Sequence, residues 1–215
     1  MSVKINPSPI CRQSFCKVIT AEAAKDSDQK YWQTTAMLDK KNTEHVTWMK
    51  ELDAAYKAFL AEKFPDPKTR PNIPMIGHPK SPVKDGDTAT DSNGFLLKEK
   101  YPEYEGHWLV RGAAKDDGKP RRHVVIGNQK VNGAWNRITE DSEVYSGCWG
   151  RVLLNMYWRK VASNPGVSFG LQGFQKTRDD EPFGSTVSDK DFDDAGANDP
   201  NNYQADPFAN DDIPF

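Results

Sequence analysis

The sequence predicts a mainly β fold: a small five-stranded barrel with one helix inserted after the second strand, a long proline-rich loop and a disordered acidic C-terminal tail. Three observations predict it. Runs rich in aromatic and β-branched residues recur between Gly, Pro and Asp turns. A single segment has helical apolar spacing. Residues 189–215 lack the apolar surface that would offset backbone ordering entropy. The expected division is a domain over 1–184 and a tail over 185–215.

Arg12 to Thr20 (RQSFCKVIT) reads as the first strand and Lys30 to Leu38 (KYWQTTAML) as its hairpin partner, with Asp26-Ser27-Asp28 as the turn. The helix is expected from about Thr43 to Phe64. Asn42 or Thr43 caps it, Glu44 sits in its first turn and Pro65 stops it. Val46, Met49, Leu52, Tyr56 and Phe59 form the stripe that it lays on a sheet. Prolines 65, 67, 71, 74, 79 and 82, followed by Asp85-Gly86-Asp87, mark a long loop from Pro65 to Gly94. Strands resume at Gly106 to Ala114 and briefly at His123 to Ile126, parted by Asp116-Asp117-Gly118. The last pair is Cys148 to Lys160 and Gly166 to Thr177, joined by Ser163-Asn164-Pro165-Gly166. Five main strands and one helix fit a barrel of the oligonucleotide-binding (OB) type.

A formal charge of -2 conceals an asymmetry. Residues 189–215 hold eight Asp (189, 191, 193, 194, 199, 206, 211 and 212) against Lys190. Taking these from the chain's 29 bases and 31 acids leaves 28 and 23, or +5, on residues 1–188. A basic body with an acidic tail is a cue for nucleic-acid binding. The tail ends Asp211-Asp212-Ile213-Pro214-Phe215, two carboxylates and then large apolar residues on a free α-carboxylate, an ending suited to capture in a partner's pocket.

No apolar run approaches the ~18 residues of a membrane span, and Met1 to Phe15 lacks the apolar stretch of a secretory signal, so a cytosolic location is expected. Cys11, Cys16 and Cys148 are odd in number and form no CxxC pair. They read as core thiols rather than as partners of His45, His78, His107 or His123 around a metal, and no cofactor is expected. Phosphate-loop, nucleophile-elbow and zinc-protease motifs are missing, which argues against an enzyme. A metal-dependent nuclease built from scattered carboxylates is the enzymatic alternative; an interaction adaptor or single-stranded-RNA-binding module is the other.

Along Trp149 to Lys160, Val152, Leu154 and Met156 fall on one face, which is read as core. Trp149, Arg151, Leu153, Asn155, Tyr157 and Arg159 fall on the other. That second face mixes cations, which replace phosphate counterions, with flat rings on which bases stack at ~1 to 3 kcal/mol each. The next strand adds Gln172, Phe174, Lys176 and Arg178 at period two. Arg111 lies near Trp108 in an earlier strand, and Lys17, Trp32 and Trp135 are further candidates.

The tail tip resembles the Asp-Asp-Asp-Ile-Pro-Phe ending of bacterial single-stranded DNA-binding proteins, which recruits replication and repair enzymes. The body resembles a family of bacteriophage single-stranded DNA-binding proteins with an OB fold. The resemblance rests on Asp85-Gly86-Asp87, Tyr101-Pro102-Glu103-Tyr104-Glu105-Gly106-His107, Val144-Tyr145-Ser146-Gly147-Cys148, Gly166-Val167-Ser168-Phe169-Gly170-Leu171 and Gln175-Lys176-Thr177-Arg178-Asp179, and spans Arg12 to about Gly184. It implies non-sequence-specific coating and protection of single strands in phage DNA replication, recombination and repair, within the cytoplasm of the bacterial host. Partner enzymes of phage or host are expected at the tip.

Overall fold

The computed structural model describes residues 2–23, 27–78, 80–160 and 165–184. Asp26, Pro79, Ser163, Asn164 and the acidic tail with its tip lie outside the described residues. In chain order the strands are β1 (Ser2–Lys4), β2 (Cys11–Ala23), β3 (Lys30–Asp39), β4 (Val83–Asp85), β5 (His107–Lys115), β6 (Val124–Val131), β7 (Ala134–Arg137), β8 (Trp149–Arg159) and β9 (Gly166–Arg178). Helix α1 (Thr43–Lys63) follows β3, and a one-turn helix α2 (Leu97–Lys100) precedes β5. No helix among the described residues is long and apolar enough to cross a membrane.

All nine strands of the described residues belong to one sheet. Its pairings close on themselves: β2 pairs with β3, β3 with β5, β5 runs parallel to β9, β9 pairs with β8, and β8 returns to β2 at Cys11 opposite Gly150. β1 adds to β8, β4 to β5, and β6 and β7 continue beyond β9. The five expected strands are therefore present as β2, β3, β5, β8 and β9, while the sheet is larger than five strands. The additions are short, or depend on partners far away in sequence. The start of β6 is the strand expected at His123 to Ile126, and its hairpin with β7 carries a local turn signal, Asn132-Gly133. Both residues have positive φ, 51° and 80°, as a tight two-residue hairpin requires.

The core lies inside the closed circuit and is completed by α1. Asn42 caps this helix, its side-chain oxygen accepting from the Glu44 and His45 amides at 2.9 and 3.3 Å. His45, Trp48, Met49, Leu52, Tyr56, Phe59 and Leu60 are buried, and Val46 is half-buried at the margin of the stripe. Val152, Leu154 and Met156 of β8 are fully enclosed, as their alternation predicts.

Asp85-Gly86-Asp87 is a structural staple. Lys40 Nζ reaches Asp85 at 2.6 Å and Asp87 at 2.5 Å, and Asp87 also accepts the Gly106 amide at 2.8 Å. A side chain at Gly86 would strike the carbonyl of Tyr104, so glycine is needed there for close approach. The staple joins the end of β3 to the segment that enters β5. In this way two of the blocks read as family marks tie the end of β3 to the start of β5.

Candidate nucleic-acid interface

Strict alternation along β3 and β5 builds a face. Tyr31, Gln33 and Thr35 of β3 lie opposite Lys115, Ala113 and Arg111 of β5, and these odd-numbered residues share the outer side. Arg111 donates to the side-chain oxygen of Gln33. Tyr157 and Arg159 from the end of β8 join them, and Lys80 and Lys84 also line the space. The result is a cleft of about 820 Å³.

Phe15 of β2 also lines the cleft. It sits where the β2–β3 register shifts between Ser14 and Lys17, in a left-handed backbone conformation (φ 47°), and is 44% exposed. An L-residue with a large side chain seldom holds that conformation, and such strain persists where surrounding structure imposes it. Here the Phe15 ring meets Tyr101 edge to face at 5.4 Å, and Tyr101 leans on Tyr104 at 5.2 Å. The buried Tyr104 hydroxyl shares a 2.9 Å hydrogen bond with Ser14, and burial pushes its pKa up to about 12. Among the described residues, four cations (Lys80, Lys84, Arg111, Arg159) and one acid (Glu22) line the cleft, alongside the rings of Phe15, Tyr31, Tyr101 and Tyr157. Phosphates can meet the cations while bases stack on the rings.

The sequence-derived candidates divide between several places. Arg111, Tyr157 and Arg159 meet in the cleft. Trp149 lies eight residues from Tyr157 on β8, about 26 Å at ~3.3 Å per residue, and so belongs to another surface. There Arg178 stacks on its ring at 4.0 Å and Asp180 accepts its indole N–H at 2.6 Å. Lys176 is largely covered and pairs with Asp179 at 2.5 Å. Arg151 donates to the Ser8 carbonyl at 2.8 Å, fixing the chain ahead of β2. Lys17 is exposed outside the cleft lining, paired with Glu22 at 2.7 Å.

Three aromatic candidates need correction. Phe174 is 2% exposed and is a core residue. Opposite β8, the register slips between Leu153 and Leu154, leaving Gln172 as the extra residue of β9. The slip reverses which residues face inward, so Gln172 points out and Phe174 in. Trp32 and Trp108 are even-numbered on strands whose odd residues face the cleft. Both pack half-buried against the core, Trp32 donating its indole N–H to Ile19 at 3.0 Å. Phe15, Tyr31, Gln33, Lys80, Lys84 and Tyr101 were missed. Tyr31 and Gln33 were legible from β3 alternation, whereas Phe15 needed the bulge.

Among the described residues no cluster of His, Cys, Asp and Glu is placed to hold a metal. Cys11, Cys16 and Cys148 are free and buried, and burial pushes the Cys11 thiol up to about 12.

Three carboxylates have pKa values below the ordinary range. Asp87 accepts from the Gly106 amide and Lys40, Asp179 from Lys176 and the Tyr145 hydroxyl, and Asp180 from the Trp149 indole and the Glu181 amide. A depressed folded pKa contributes stability that is complete above the unfolded value, about 3.9, and is lost as pH falls through the folded value. Thermal melts from pH 7 to 3 are expected to show a falling midpoint below about pH 4. The triple variant Asp87→Asn, Asp179→Asn, Asp180→Asn is expected to start lower and change less; equal pH dependence in both proteins would refute the assignment.

The family model described as Enterobacter phage Enc34 ssDNA-binding protein matches residues 1–202. No curated protein matches the chain. Among solved structures, the single-stranded DNA-binding protein from bacteriophage Enc34 in complex with ssDNA is similar at TM-score 0.60 and 19% identity, covering 83% of this chain and 88% of that one. A second structure of the single-stranded DNA-binding protein from bacteriophage Enc34 gives TM-score 0.58 at 18% identity, covering 86% of each chain. The single-stranded DNA-binding protein gp2.5 of bacteriophage T7 gives 0.49 at 14%, covering 90% of this chain and 98% of that one.

Proposed function

This chain belongs to the family of the Enterobacter phage Enc34 ssDNA-binding protein, and from that premise we propose that it binds single-stranded DNA without sequence choice, in the cleft bounded by β3, β5 and the end of β8. The cleft's composition carries this reading: among the described residues, four cations against one acid, interleaved with four exposed or half-buried rings. Stacking accepts any base because every base has a π-face, and cations accept any phosphate. The activity of the family is binding, and the chain is no enzyme.

The circuit of β2, β3, β5, β9 and β8 is read as a five-stranded OB barrel, supported by its closure and its one parallel pair, β5 with β9. The protein coats and protects single strands during phage replication, recombination and repair in the host cytoplasm. Its acidic segment serves as an internal competitor for the cleft, displaced by DNA. The tip Asp211 to Phe215 is then offered to phage or host enzymes, with Phe215 entering an apolar pocket and a cation holding its carboxylate. Burying one Phe contributes ~1.5 to 3 kcal/mol, so a single tip binds weakly and retention depends on many tips along one coated strand.

Two comparisons test this. Unstructured DNA and RNA oligomers of equal length, titrated at two salt concentrations, should show tight, steeply salt-dependent DNA binding; a preference for RNA or a flat salt response would favour another ligand. Deleting residues 189–215 should tighten DNA binding several-fold at low salt, and amidating the C-terminus should abolish enzyme recruitment while leaving DNA binding intact. Unchanged affinity in the first case, or surviving recruitment in the second, would remove the corresponding role from the tail.

A further inference from the structure

The β6–β7 hairpin contributes little to the core: apart from Val125, its burial falls away and all four residues of β7 are exposed. An isolated two-stranded ribbon is marginal in water, so one that projects past its packing needs another reason to be there. At its end Trp135 is 42% exposed, with Lys130 Nζ 4.9 Å from its ring centroid. At its base, a groove of about 250 Å³ separates it from the end of β9. Asn128, Gln129 and Asn136 line one side, Thr177 and Arg178 the other. The Thr177 hydroxyl is buried there without a hydrogen-bond partner among the described residues. Glu143 and Asp179 also border the groove, the latter already matched by Lys176.

We propose that this hairpin and groove form a second subsite for the same single strand, outside the cleft, in which Trp135 stacks a base while Lys130, Arg178 and the side-chain amides hold phosphate and base edges. The proposal rests on the reading of the cleft as the primary DNA site. Amides, cations and an open ring suit a polynucleotide better than a protein partner, for which an apolar centre would be expected. Continuity supports it too. Arg178 on the groove stacks on Trp149 at one end of β8, and Tyr157 lies in the cleft toward the other end. The ~26 Å between those β8 positions equals roughly eight phosphates at duplex spacing, and fewer in an extended strand.

The test compares oligo-dT of about 5 and about 16 nucleotides, lengths within the range covered by single OB folds, with the full chain at one protomer per oligomer. The variant Trp135→Ala with Lys130→Ala changes only exposed positions, and its melting temperature is checked against the parent. Affinity for the longer oligomer should fall about fivefold or more, and its salt dependence should lessen, while affinity for the shorter one stays within about twofold. Unchanged affinity for the longer oligomer, or equal losses at both lengths, would overturn the second subsite. Failure of the parent to bind either length would instead defeat the cleft reading.

Discussion

Replacing Arg111 and Arg159 together by glutamate is expected to weaken oligo-dT binding by about a hundredfold or more at low salt, with little change in melting temperature. Both guanidiniums line the cleft, and Arg111 is exposed. Each reversal removes one attraction to phosphate and adds one repulsion. At ~4 Å each of these four changes is worth about 1 kcal/mol in water, and more beside protein. Every 1.4 kcal/mol is about tenfold, so two orders of magnitude is a conservative figure. The salt response gives a second, independent readout. A single strand loses about 0.7 in log–log slope for each phosphate contact removed, so the double variant should be shallower by about 1.4. Fluorescence anisotropy at four salt concentrations measures both. A parent-like slope would mean that the strand lies elsewhere.

At Phe15, the alanine and glycine variants should separate stability from binding. Both lose the ring, so both should bind single strands ~1 to 3 kcal/mol more weakly, the amount that a stacked base typically contributes. Their stabilities should differ in an unusual direction. Glycine in a strand is ordinarily ~0.5 to 1 kcal/mol worse than alanine. At φ 47° alanine retains the Cβ strain that glycine lacks, a penalty of roughly 1 to 2 kcal/mol. Phe15→Gly is therefore expected to match or exceed Phe15→Ala in denaturant melts. A ring kept in a strained conformation in the lining of a cationic cleft fits a ligand contact better than a packing role. Normal DNA affinity in both variants would contradict that, and a clearly more stable alanine variant would contradict the strain.

How much of this was readable from the chain depends on where strands keep their alternation. In β8 it runs unbroken from Val152 to Met156, so Tyr157 and Arg159 were placed on the correct side. β9 and β2 have register shifts, and each reverses the inward set beyond it. That is why Phe174 looked exposed and Phe15 went unnoticed. Trp108 and Arg111 are three apart on one strand, which alternation alone puts on opposite faces; their nearness in sequence was misleading. Alternation assigns a side of the sheet but says nothing of distance along it, so Trp149 and Tyr157 seemed to share a site. The proline-rich loop concealed Lys80 and Lys84, whose placement depends on contacts made by distant strands.

Photo-crosslinking of a halogenated oligo-dT, with the modified residues identified by mass spectrometry, tests most directly whether the cleft is where the strand lies. Adducts concentrated on Phe15, Tyr31, Tyr101 and Tyr157, and suppressed by the Arg111→Glu, Arg159→Glu variant, are the predicted result. Adducts confined to the α1 surface, or a cleft left unmodified under saturating DNA, would contradict it.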